Sequence, residues 1–193
     1  MKKLLGLGFA AAMFASQAQA AFIWNVTGSD MAGIEVTATF ADTSTETLNW
    51  ADLGGDKGGV TGSGWSLSVD GDTIVPNDPL APMAGVWVLE VGQVQLSSLW
   101  INLGTAFVFD TAFGDLLADG SGPGREFTSS SPIGFTFMNP AGSAELFSAL
   151  SLFDITGSTM FAVDTDAVPV PATLSLMGLA LLGLVAGTRR KKA

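Results

Sequence analysis

Five stretches of the chain alternate apolar and polar residues with a period of two. Ile34, Val36, Ala38 and Phe40 share one parity, with Glu35, Thr37 and Thr39 between them. Trp65, Leu67 and Val69 alternate with Ser66 and Ser68. The same pattern recurs at Trp87, Leu89 and Val91, at Leu99, Ile101 and Leu103, and at Ile133, Phe135 and Phe137. A strand points successive side chains to opposite faces, so each run predicts a strand with one buried face. Further strands are predicted near residues 22–27, 45–50, 105–110 and 159–163. Turn-forming clusters separate them: Gly54-Gly55-Asp56-Lys57-Gly58-Gly59, Asp70-Gly71-Asp72, Pro76-Asn77-Asp78-Pro79 and Ser121-Gly122-Pro123-Gly124. Asp70-Gly71, between residues 65–69 and 73–75, reads as a tight hairpin. Residues 141–153 fit a short helix or two more strands. Many short strands with Gly and Pro turns predict a mainly β fold, an antiparallel β-sandwich of jelly-roll-like type. The predicted domain covers residues 21–163, with residues 164–167 as a short linker.

The two ends are patterned differently. Lys2 and Lys3 precede an apolar run of 12 residues, Leu4 to Ala15, and Ala18-Gln19-Ala20 supplies small residues at the positions a signal peptidase reads. This is the layout of a secretory signal peptide over residues 1–20, with cleavage between Ala20 and Ala21. At the other end Pro169 and Pro171 interrupt any incoming helix. The 16 residues from Ala172 to Gly187 then carry no charge. As a helix they would span roughly 24 Å, slightly less than a hydrocarbon core of about 30 Å. Arg189, Arg190, Lys191 and Lys192 follow as a membrane-stop cluster that stays in the cytoplasm and leaves residues 21–168 on the far side.

A short Pro motif, an apolar helix and a terminal basic cluster, in that order, resemble the PEP-CTERM sorting signal of Gram-negative bacteria. The closest variant has a V-P-x-P-A core, here Val168-Pro169-Val170-Pro171-Ala172. Val170 stands where the namesake motif has Glu. The resemblance covers about the last 26 residues, 168–193. It implies recognition by an exosortase-like membrane protease that cleaves near the Pro motif. Transfer to the cell surface or release would follow, often in bacteria that make exopolysaccharide and biofilm.

Charge sharpens this picture. All 18 acidic residues lie between Asp30 and Asp166, so residues 21–168 hold 18 acidic and 2 basic groups, a formal charge of −16. Such a surface repels phosphate backbones and excludes nucleic acid as a partner. Cys, His and Tyr are absent, which removes disulfides, thiol nucleophiles, imidazole bases and nitrogen or sulfur metal ligands. Lys57 is the sole lysine of the exported block and sits in a Gly-rich turn, a poor place for a desolvated base. No G-x-S-x-G, P-loop or dinucleotide fingerprint is present.

Two features carry binding chemistry. Asp70, Asp72, Asp110, Asp115, Asp119, Asp164 and Asp166 fall in or beside predicted loops, and carboxylate oxygens are what Ca²⁺ takes. Asp110, Asp115 and Asp119 form the candidate Ca²⁺ site, although no complete calcium-loop motif exists. Trp24, Trp50, Trp65 and Trp87 share parity with apolar neighbours and are expected in the core. Trp100 instead shares parity with Ser98 and Asn102, which points it away from the core, where it could stack on a sugar.

The expected protein is therefore a non-enzymatic exported β-sandwich, sorted and processed by an exosortase-like protease. It would act at the cell surface or in the extracellular matrix. A carbohydrate-binding module for exopolysaccharide is the alternative, and an Asp/Glu glycosidase a second alternative. Signal peptidase and the Sec translocon are the expected export partners.

Overall fold

Period-two patterning becomes two antiparallel sheets. The computed structural model describes residues 25–74, 85–111, 124–141 and 145–168. In chain order the strands are β1 (Glu35–Phe40), β2 (Thr45–Asn49), β3 (Ala51–Gly54), β4 (Lys57–Thr61), β5 (Trp65–Asp70), β6 (Trp87–Val91), β7 (Leu96–Asn102), β8 (Phe107–Asp110), β9 (Thr128–Ser129), β10 (Gly134–Pro140), β11 (Leu146–Phe153), β12 (Thr159–Ala162) and β13 (Asp164–Ala167). The first sheet runs β13-β8-β11-β7-β1-β2, with β10 paired to β11. The second runs β3-β4-β5-β6-β12-β9. Among the described residues there is no helix.

The inner stripes of both sheets meet in one hydrophobic cluster. Val36 and Ala38, Leu99 and Ile101, and Leu150 and Leu152 enter it from the first sheet. Leu67 and Val69, Trp87 and Leu89, and Phe161 enter it from the second. Trp87 of β6 stands at its centre, 0 % exposed. Its ring centroid lies 6.0 Å from that of Phe109 of β8, 5.4 Å from Trp50 and 5.6 Å from Phe161. Each buried indole N–H finds an acceptor, as a buried donor must. Trp50 Nε1 donates to Gly28 O at 2.7 Å, Trp87 Nε1 to Val163 O at 3.3 Å and Trp65 Nε1 to Glu46 Oε2 at 2.8 Å. Trp50, Trp65 and Trp87 are thus core residues as expected, and Trp24 lies outside the described residues.

Several local expectations change. The first sheet pairs strands distant in sequence along β13-β8-β11-β7-β1, whereas β3-β4-β5-β6 pairs consecutive strands. At the β3–β4 turn Gly54 (φ 92°) and Gly55 (φ 62°) take the left-handed backbone conformation that glycine enters without a Cβ penalty. Asp70-Gly71 does not make a hairpin. Both edges of β5 are taken by β4 and β6, so the chain leaves the sheet and Asp72 forms an isolated bridge with Thr27. The described residues of 141–153 form one strand, β11, and no helix. The stripe at Phe135 and Phe137 sits opposite Leu152 and Leu150. However, β10 has one partner strand among the described residues, and Phe135 stays 43 % exposed.

The largest correction is at the end of the domain. Residues 164–167, expected as a linker, are strand β13, paired with β8 from Asp164↔Asp110 to Ala167↔Phe107. Asp164, Thr165 and Asp166 are each 0 % exposed. The described residues all fall within the compact unit Phe22–Val168, so the folded domain runs past residue 163. A polar D-T-D run reads as loop by composition, yet it pairs with β8 and hydrogen-bonds to Thr73.

Candidate functional site

β13 brings carboxylates together that are far apart in the chain. Asp110 closes β8 directly opposite Asp164 on β13, and Asp166 lies two residues on, on the same face as Asp164. One carboxylate oxygen from each of the three lies within 4.8 Å of the others, and all three residues are buried. Like charges opposite one another on paired strands repel, and burial removes the water that would screen them.

The surroundings answer part of that charge. Thr73 Oγ1 donates to Asp164 Oδ1 at 3.1 Å, and Thr165 N donates to the same oxygen at 2.8 Å. Thr165 N also lies 3.0 Å from Thr73 Oγ1 as acceptor. Among the described residues Asp164 Oδ2 has no hydrogen-bond partner. Arg125 N donates to Asp110 O at 3.0 Å, which brings the Arg125 backbone to the same strand end. Gly124 precedes it, and a Cβ there would run into the Asp110 carboxylate. Burial pushes the Asp164 carboxyl up to about 8, the Asp166 and Asp110 charges push the same way, and the Thr165 N–H and Thr73 hydroxyl oppose them. Burial lowers the Arg125 guanidinium from its ordinary value, against the attraction of Asp164. The cluster therefore demands a proton or a cation. All three residues are only 0–1 % exposed.

Of the predicted Ca²⁺ ligands, Asp110 takes part, while Asp115 and Asp119 lie outside the described residues. Asp164 and Asp166, left as loop aspartates by the sequence, complete the cluster. The usable signal was their i, i+2 spacing, which puts both on one face of a strand.

Trp100 occupies the outer face of the first sheet, half-buried. Thr37 and Ser151 are its cross-strand neighbours. The row extends to Thr47 beyond Thr37 and to Thr136 beyond Ser151, and Thr37 Oγ1 and Thr47 Oγ1 share a hydrogen bond of 2.8 Å. The flanking rows hold Thr45, Thr39, Ser98 and Phe153 on one side and Asn49, Glu35 and Asn102 on the other. Glu35 is the one charged residue among these positions.

The described domain is thus a two-sheet β protein with a buried carboxylate cluster in its last strand pair. Residues 167–191, beginning at the last residue of β13, match the PEP-CTERM protein-sorting motif. That motif marks an exported protein sorted by exosortase. No curated protein and no solved structure matches the chain. Val168 is the described part of the Pro motif, and its N–H donates to Ala106 O at 2.8 Å. Pro169, Val170, Pro171, Ala172 and the basic cluster Arg189, Arg190, Lys191 and Lys192 lie outside the described residues. So do Ala18, Ala20 and Ala21 of the signal cleavage site and the two apolar segments. Among the described residues no helix is long and apolar enough to cross a membrane.

Proposed function

We propose that the chain is a non-enzymatic surface protein of a Gram-negative bacterium. Residues 1–20 direct its export through the Sec translocon and are removed by signal peptidase. Residues 172–187 hold it transiently in the inner membrane, and an exosortase-like protease cleaves near Pro169–Pro171. The two sheets stack as a sandwich, delivered to the cell surface or matrix as a finished domain. The observation that carries this reading is the sorting motif at residues 167–191, which starts where β13 ends. Cleavage within the Pro motif would leave every strand of the domain in place. Intact mass spectrometry of the protein from its native host tests it. The expected mass corresponds to a chain that begins at or near Ala21 and lacks residues 173–187. A native mass that retains the tail through Ala193 would make the chain an ordinary tail-anchored protein.

A second reading rests on the row around Trp100. An indole flanked by hydroxyls on an almost uncharged sheet face is the surface on which a neutral glycan stacks and hydrogen-bonds. Matrix exopolysaccharide is the corresponding ligand, and titration of the protein with the host's own polysaccharide is the test.

A further inference from the structure

We propose that Asp110, Asp164 and Asp166 form a Ca²⁺ site that clasps the final strand, β13, to β8. Charge comes first. Three buried carboxylates offer oxygens within 4.8 Å of one another, and one divalent cation among them would relieve the repulsion of like charges. The cluster lies in the dry interior, where leaving such charge unmatched is costly.

Geometry agrees. Two oxygens bound to one Ca²⁺ at about 2.3–2.6 Å can stand no more than roughly 4.6–5.2 Å apart. The three carboxylates offer oxygens within 4.8 Å of one another, so a single ion can touch all of them. Asp164 supplies an independent sign of a missing ligand. The residue is 0 % exposed, its Oδ1 is occupied by Thr73 and Thr165, and its Oδ2 has no hydrogen-bond partner among the described residues. The backbone at Gly124 closes against the Asp110 carboxylate, at a point where any side chain would intrude. The site is therefore walled as well as charged.

The donor set selects the ion. All-oxygen ligation rules against zinc, and a chain without Cys or His has no softer donors to offer. Mg²⁺ keeps several of its waters, whereas Ca²⁺ takes six to eight oxygens at flexible angles. Three carboxylates, one oxygen of each within reach of a single ion, begin such an all-oxygen set. The strand pairing gives the ion its structural role. Asp164 and Asp166 belong to β13 and Asp110 to β8, so the ion ties together the last two strands of the first sheet's edge. The domain would complete its fold on meeting Ca²⁺ after export, with an affinity suited to extracellular modules, about 10⁻⁴–10⁻³ M.

The test uses the full-length protein in mild detergent, stripped with EDTA and titrated calorimetrically with Ca²⁺ and, separately, with Mg²⁺. One Ca²⁺ should bind per chain. The thermal midpoint should rise by roughly 5–10 °C at 100 times the dissociation constant. Asp166→Asn should weaken Ca²⁺ binding at least tenfold. No Ca²⁺-dependent heat or shift in the wild-type chain overturns the proposal, as does an equal response to Mg²⁺ or an undiminished response in Asp166→Asn. Should that variant fail to fold, the wild-type titrations alone decide.

Discussion

Glu46 of β2 joins the first sheet to the turn that precedes β5 of the second. It accepts Ser63 N at 2.9 Å, Ser63 Oγ at 2.9 Å and Trp65 Nε1 at 2.8 Å. The Ser63 N–H, then the indole N–H, hold its carboxyl below the ordinary value of 4.5, against a smaller desolvation effect. A lowered folded pKa gives stability that is present above the unfolded value and lost as pH falls through the folded one. Asp42 acts in the same sense through Ser44, while Asp164 acts in the opposite sense because its pKa is raised. The difference between wild type and Glu46→Ala isolates the one residue. The variant should melt lower at pH 7, and the gap should narrow as pH drops below about 4.5. A gap that is constant across thermal melts from pH 3 to pH 7 would show that the carboxylate charge contributes nothing. At Trp100 the outer-face row predicts a separate effect. Trp100→Ala should weaken glycan binding by about 1–2 kcal/mol. Because Trp100 is half-buried and lies outside the hydrophobic cluster, its melting temperature should change little. A collapse in stability would instead mark the ring as a packing residue.

At the scale of elements β13 decides where the domain ends. It covers the edge of β8, and β8 carries the buried Val108 and Phe109. A chain ended after Val168 retains that cover, and one ended after Val163 loses it together with the Thr165 N–H bonds to Thr73 and Asp164. The longer chain should unfold cooperatively by circular dichroism. The shorter should lose its cooperative transition or melt far lower, because an open edge and unpaired backbone groups remain. Equal midpoints would return residues 164–167 to the status of a linker.

For the whole molecule, the charge distribution and the sorting motif act together. Residues 21–168 carry a formal charge of −16, and all but 2 of the 8 basic residues sit at the two ends. In the proposed topology the basic residues beside the apolar segment stay on the cytoplasmic side, which would place the acidic domain outside. Changing Arg189, Arg190, Lys191 and Lys192 to Ser should impair membrane retention and processing. The melting of the domain should be unaffected, because the substitutions fall outside the compact unit Phe22–Val168. Fractionation and intact mass of the variant from the native host check this. Normal processing of the variant would remove the basic stop from the mechanism.

What the sequence alone determined is what depends on neighbours along the chain. Alternation at Val36 and Ala38, at Leu67 and Val69, and at Leu99 and Ile101 dictates strands and their buried faces, because the period of side-chain direction is a local property. The sorting motif at residues 167–191 was legible for the same reason, since its order and spacing are linear. What only the tertiary structure decided depends on partners distant in sequence. Asp70-Gly71 has the composition of a hairpin, but β4 and β6 occupy both edges of β5. Asp164-Thr165-Asp166 has the composition of a linker, but β8 and Thr73 supply bonds that make its burial affordable. Asp110 was recognised as a candidate ligand, and the carboxylates that join it among the described residues come from more than fifty residues away. Burial of a polar strand is a property of pairing, and no local pattern encodes which strand will provide it.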